Sequence, residues 1–178
     1  IERLADPILS GTAEYVSPIY VRHKYDGPIS RGLAYPIMRM LFGRRVLQPI
    51  HVDHAFSGRL NEIYLHSELD LDDRGYKSDL NMLARAVMNN APICQSYMAY
   101  PRTTTLKKLD YDLGKAFAYV AGALFNLMIE TSGFWTGLIR TRPTTLSCAA
   151  ETPFMPPPQL DVAQEYSLNP FLEPGRAL

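Results

Sequence analysis

The sequence predicts an α/β fold with few strands, flanking helices and an extended proline-rich tail. The segments 13–22 and 93–100 are rich in β-branched and aromatic residues, which is typical of strands. Around them, apolar residues recur every three or four positions, which indicates helices. Seven prolines follow Thr141 and predict an extended or polyproline conformation there.

Composition places the chain among soluble globular proteins. Its 178 residues suffice for one domain with a sizeable core, and 47% of them are hydrophobic. The formal net charge is zero, so we expect no nucleic-acid partner. Cys94 and Cys148 lie far apart and form no metal or redox motif. We therefore expect a cytoplasmic protein, at most peripheral to a membrane complex.

The elements are placed by their starts, stops and periodicity. Gly11 is positioned to end a first helix, and Pro36 predicts a break within a later one. Ser57 is a candidate N-terminal cap. In order, we predict a helix ending within 1–10, a strand over 13–22, a turn over 24–28, a helix over 29–42, a basic loop over 43–49, a loop or short strand over 51–56, a helix over 57–67, an acidic linker over 68–77, a helix over 78–89, a strand over 93–100 and a helix over 113–130.

The helix over 113–130 is the most apolar segment. Its uncharged core, 117–129, is shorter than the roughly 20 residues that span a bilayer, so we predict a core helix and no transmembrane span. The domain division follows from composition: residues 1–140 form the folded domain and residues 141–178 the proline-rich tail. Because Ile1 is not Met, we expect the chain to be a piece or a processed product of something longer.

Several segments together carry a resemblance to known proteins. They are Arg3-Leu4-Ala5-Asp6-Pro7-Ile8-Leu9, Tyr15-Val16-Ser17-Pro18-Ile19-Tyr20, Arg22-His23-Lys24-Tyr25-Asp26-Gly27, Tyr35-Pro36, Phe42-Gly43-Arg44-Arg45-Val46, Gln48-Pro49-Ile50, Asp53, Phe56-Ser57 and Asp79. In this combination the chain resembles the bacterial and archaeal family-two-like GT-A glycosyltransferases, which are similar to glucosyl-3-phosphoglycerate synthases and mannosylglycerate synthases. The resemblance covers most of the chain and weakens after Tyr100.

The resemblance implies the acceptor-side half of a GT-A, Rossmann-like domain. Such enzymes use a nucleotide-diphosphate sugar and a divalent cation, Mg or Mn, held by an Asp-x-Asp motif. In relatives that motif precedes the position that matches Ile1, and the Asp70–Asp73 run lies in the wrong place to replace it. We therefore expect no cofactor for this chain, with Mg or Mn only in a complete enzyme.

Two carboxylates are the catalytic candidates. Asp79 matches the acidic residue that relatives place near the acceptor hydroxyl, where a carboxylate can accept the proton as oxygen attacks the anomeric carbon. The alternative is a structural role at a helix start, where the dipole favours Asp. Asp53 follows the loop that matches the acceptor loop and is either a functional carboxylate or a structural loop residue.

Four residues are candidates for acceptor binding. Arg44 and Arg45 could clamp a phosphate or carboxylate with bidentate donors, or form a solvated basic loop. Gln48 and His51 lie in the segment that matches the acceptor loop. Relatives carry glycine where His51 and Val52 stand, so this loop departs from the pattern. His51, Asp53 and His54 form an incomplete ligand set, and we predict no metal site.

These observations lead to two hypotheses. The first is a glycosyltransferase-like protein without the sugar-nucleotide half, inactive by itself, that serves as a binding or structural subunit. Its expected partner is another protein or a missing N-terminal half, contacted through the tail and the helix over 113–130. The alternative is a fragment of an active metal-dependent transferase that moves a sugar to a small acidic or polyol acceptor.

Overall fold

A computed structural model describes residues 2–20, 27–51, 53–67, 76–98 and 113–147. Six α-helices and four strands lie in these ranges. The helices are α1 (Glu2–Leu9), α2 (Tyr35–Phe42), α3 (Gly58–His66), α4 (Tyr76–Met88), α5 (Leu113–Glu130) and α6 (Ser132–Trp135), and the strands are β1 (Tyr15–Ile19), β2 (Ala55–Phe56), β3 (Ile93–Tyr97) and β4 (Thr145–Ser147). The mixture confirms the predicted α/β class.

The strands form one mixed sheet with the order β2-β1-β3-β4. Strands β1 and β3 are parallel over their whole length, from the Tyr15–Ile93 pair to the Ile19–Tyr97 pair. Strand β4 extends the sheet in parallel, and β2 pairs antiparallel on the other side. Strand β4 falls within the segment predicted as a tail, so that segment begins with a sheet strand. Its remainder, 148–178, lies outside the described residues.

The core is divided by the sheet, because successive strand residues point to opposite faces. Tyr15 faces a large cluster built from α2, α4 and α5, which includes Leu41, Leu80 and Leu124. Val16 faces a smaller cluster with Leu4 of α1. Leu4 and Ile8, one turn apart on α1, both pack in this smaller cluster.

Two predicted helix signals are confirmed. The Ser57 hydroxyl accepts the backbone N–H of Leu60 at 3.3 Å, which caps α3. Pro36 lies in the first turn of α2, directly after a five-residue π-helical segment, Ser30–Ala34. A proline lacks the N–H donor, so it fits a first turn, where that donor has no intrahelical partner. The break therefore separates two helical pieces of one segment.

Helix α5 has the predicted bounds, but only one side of it belongs to the core. Val120, Ala123, Leu124 and Leu127 are buried, whereas the opposite side is exposed. Among the described helices, it is the one long and apolar enough to cross a membrane by length and composition, with a mean hydropathy of 1.2. Its packing against α4 and α2 is compatible with the expected absence of a transmembrane span.

Some predictions fall on undescribed residues. The predicted turn over 24–28 and the acidic linker over 68–77 are covered only in part, and Asp70–Asp73 lies wholly outside the described ranges. So do Val52 and the segment 99–112 that precedes α5.

Candidate functional site

The loop between α2 and β2, residues 43–54, is fastened onto β1 and β3. The Gln95 side chain in β3 accepts the backbone N–H of Leu47 at 2.7 Å and donates to the carbonyl of Arg45 at 3.0 Å. Gln95 is buried, and its amide oxygen and nitrogen both bond to the backbone of the loop. Its side chain therefore fixes the loop to β3. In open sheets with parallel strands, ligands bind beyond the carboxyl ends of those strands.

Gln48 anchors the middle of this loop. Its amide nitrogen donates to the carbonyl of Tyr20, directly after β1, at 3.0 Å, and the Ser17 hydroxyl donates to the Gln48 carbonyl at 3.5 Å. Its Oε1 atom is buried without a hydrogen-bond partner among the described residues. Gln48 was predicted to bind an acceptor. In the structure its side chain is buried within the loop, and acceptor binding stays a prediction.

Three residues beyond Gln48, the loop is bonded to α4 through His51 and Asp79. Asp79 lies in the first turn of α4, and its Oδ2 atom accepts the backbone N–H of His51 at 3.1 Å. The His51 side chain is 2% exposed. A carboxylate that accepts a backbone N–H forms one of the stronger hydrogen bonds in proteins, so Asp79 ties the loop to α4.

Asp53 lies at the end of the loop and is exposed. Its Oδ2 atom accepts a short hydrogen bond from the Tyr20 hydroxyl. Tyr20 thus contacts the loop twice, through its carbonyl at Gln48 and its hydroxyl at Asp53. The structure therefore joins Gln48 and Asp53 through one residue that sequence analysis did not select.

Arg44 and Arg45 lie at the opposite end of the loop, beside a residue that sequence analysis missed. Arg44 forms a parallel backbone bridge with Arg142, whose N–H donates to the Gly43 carbonyl at 2.6 Å. Burial and the neighbouring Arg142 charge both lower the pKa of Arg44. The sequence had placed Arg142 in the tail. It lies almost 100 positions from Arg44, and no local pattern in the sequence predicts that the two residues pair.

Aromatic and histidine rings fill the space between the loop and the sheet. His54 stacks on Tyr15 at 6.0 Å between centroids and on Phe56 at 5.6 Å, and His51 meets its edge at 5.5 Å. The Tyr15 hydroxyl is buried and has no hydrogen-bond partner among the described residues. Burial raises the pKa of Tyr15 well above its ordinary value, and the nearby Tyr64 and Asp79 raise it further.

The half-buried His54 ring makes stability depend on pH. Burial lowers the pKa of His54, against a smaller opposing effect of Asp53. The folded protein therefore binds this proton less readily than the unfolded chain, whose histidine pKa is about 6.5. Stability that is present above about pH 6.5 is lost as the pH falls from there towards the folded-state pKa.

We expect His54→Phe to flatten the fall in Tm between about pH 7.5 and 5.5. Phenylalanine retains a ring for Tyr15 and Phe56 to stack on, but it cannot bind a proton. Thermal unfolding followed by circular dichroism at several pH values measures the effect, with the exposed His66→Phe as the control. Parallel pH profiles for His54→Phe and the original chain would contradict the assignment.

The site residues thus form two groups, one at each end of the loop. Gln48, His51, Asp53 and Asp79 converge at the end nearer α4 and Tyr20, and the arginines lie at the end nearer Arg142. Within the described ranges, no three His, Cys, Asp or Glu side chains come together in a way that could hold a metal ion.

Comparison with known proteins adds no relative. No family model matches the chain, and neither the curated proteins nor the solved structures contain a match.

Proposed function

We propose that this chain is a glycosyltransferase-like protein that does not transfer sugars by itself and that binds a small acidic molecule as a binding or structural subunit. The observation that carries the proposal is the pair formed by Arg44 and Arg142, which a backbone bridge holds side by side. Its GT-A ancestry rests on the sequence resemblance.

The arginine pair favours an anionic ligand. Two like charges held close together repel each other, and each guanidinium offers several N–H donors in a planar fork. Among the described residues, Arg59 forms an ion pair with Glu14, whereas no described carboxylate forms an ion pair with Arg44 or Arg142. A carboxylate or phosphate would offset the repulsion and could accept two hydrogen bonds from either guanidinium.

The closed loop supports the non-catalytic part of the proposal. Gln48 and His51 are buried, and the Asp79 carboxylate is bonded to the loop backbone. A general base must come within hydrogen-bond reach of the proton that it removes. Asp79 is half-buried, and one of its oxygens already accepts the His51 N–H. In the described arrangement, Asp79 ties the loop to α4.

Anion binding gives a direct test. Inorganic phosphate at several times its Kd should stabilise the folded state by about 1 kcal/mol, which raises Tm by about 2–4 °C in a chain of this size. Arg44→Gln and Arg142→Gln should each abolish most of this shift. Thermal unfolding in phosphate and in chloride of equal ionic strength measures it.

Arg31→Gln is the matched control, because Arg31 is exposed on the π-helical segment, away from the loop. It should retain the full response to phosphate. Equal responses in all three variants would show that phosphate stabilises the protein without this site, as an ion excluded from the protein surface does, and the arginine site would then be rejected.

Turnover assays separate the two functional hypotheses. We expect no release of nucleoside diphosphate when the chain is incubated with nucleotide-diphosphate sugars and Mn or Mg. Turnover by this chain, lost in Asp79→Asn, would instead support the alternative of an active metal-dependent transferase. That alternative is favoured by the placement of Asp79 and Asp53 at the same end of the loop.

A further inference from the structure

The exposed side of α5 carries a continuous apolar ridge. Leu113, Phe117, Phe125 and Ile129 are between 43% and 70% exposed, and with Ala121 they follow a strict four-residue spacing. Residues four apart form one of the natural ridges on a helix surface. Charged residues are absent from α5 apart from Lys115 and Glu130, near its two ends. Contiguous exposed apolar patches of this kind mark interaction surfaces.

A row of short side chains runs directly beside this ridge. Gly114, Ala118, Gly122 and Asn126 repeat with the same four-residue spacing, and all four are exposed. A side chain built on Gly122 would meet no atom within 4 Å, so the row is open to the outside. The helix therefore presents a ridge and a parallel groove, which is the shape needed for packing against another helix by ridges into grooves.

We propose that α5 packs against α5 of a second copy of this chain, antiparallel and related by a two-fold axis, with the ridge of each copy in the groove of the other. Sequence analysis assigned this helix to contact with an unspecified partner. The present inference names that partner and does not depend on the proposed anion site.

The order of residues along the ridge favours a second copy. A two-fold interface requires a surface that is complementary to itself. The ridge is symmetric in size about Ala121, with Phe117 and Phe125 at equal distances from it and Leu113 and Ile129 beyond them. In an antiparallel pair, the phenylalanines of one copy would therefore lie near those of the other, and the small Ala121 would lie where the helices cross most closely.

The length of the ridge bounds the size of the interface. The ridge spans 17 residues, or about 25 Å of helix, which predicts a small interface and a reversible dimer.

Sedimentation equilibrium over a wide range of protein concentration tests the association. We expect a monomer–dimer equilibrium for the original chain and a Kd raised at least about tenfold by Phe125→Glu, because aromatic anchors at an interface centre carry much of its energy. Leu65→Glu is the control: Leu65 is 67% exposed on α3, and this variant should dimerise normally. Circular dichroism confirms that both variants remain folded.

Disulfide cross-linking tests the orientation in a background where Cys148 is replaced by serine. Cys94 is buried, and burial raises the pKa of its thiol to about 11, so it should not react. Ala121→Cys should form a cross-linked dimer. Phe117→Cys and Phe125→Cys, one turn on either side of the crossing, should cross-link when mixed, and neither should do so alone. A monomer at all concentrations, or efficient cross-linking of Phe117→Cys with itself, would overturn the proposal.

Discussion

Replacing Gly43 with alanine is expected to lower the free energy of unfolding by about 2–5 kcal/mol. Gly43 ends α2 in the left-handed region with φ of 64°, which costs a residue with a Cβ atom about 1–2 kcal/mol. A Cβ there would also lie 2.9 Å from the Arg140 carbonyl oxygen, a backbone atom that cannot turn away. The backbone must shift, and overpacking of this kind adds about 1–3 kcal/mol.

Gly11→Ala is the matched control for this experiment. Gly11 also has a positive φ, 71°, but a Cβ there meets nothing within 4 Å. It should cost only the conformational penalty of about 1–2 kcal/mol. Urea unfolding of both variants measures the difference. Equal decreases in the free energy of unfolding would mean that the close contact with the Arg140 carbonyl does not contribute to the cost.

The Gly43 variant also connects stability to the proposed site. The Gly43 carbonyl accepts the N–H of Arg142, and this bond helps to hold the arginine pair together. A shift of the backbone at residue 43 should therefore weaken the phosphate response as well as the fold. Gly11→Ala, far from the loop, should leave that response unchanged.

Truncation of Leu41 to alanine is the second large effect, with an expected loss of about 2–5 kcal/mol. Leu41 is fully buried at 0% exposure, in the main core where α2 packs on α4 and α5. Removal of its side chain loses the transfer free energy of three carbon atoms and leaves a cavity that the surrounding helices can fill only in part.

Its neighbour in the sequence provides the control. Met40 is 61% exposed on the same helix, and Met40→Ala should change stability by no more than about 0.5 kcal/mol. Both substitutions introduce alanine in α2, so helix propensity contributes similarly. Chemical unfolding of both variants should therefore separate the effect of burial from that of helix propensity. A loss of stability in Leu41→Ala as small as that in Met40→Ala would contradict the position of Leu41 in the main core.

The sequence alone determined the local elements of this protein. Gly11, Ser57 and Pro36 mark helix ends through their own backbone or side-chain chemistry, which acts over a few residues. The high apolar content of 113–130 likewise predicted α5 with its observed bounds. It could not show that one side of this helix remains exposed, because apolar residues occur on both sides.

The tertiary structure decided which distant residues meet. Strand β4 lies within a proline-rich segment, and it pairs in parallel with β3. A separate backbone bridge brings Arg142 beside Arg44, and α4 brings Asp79 to the His51 N–H. Local periodicity carries no information on contacts between residues this far apart, since these depend on how the whole chain packs. The loop candidates were therefore visible in the sequence, but their partners Tyr20, Gln95 and Arg142 were not.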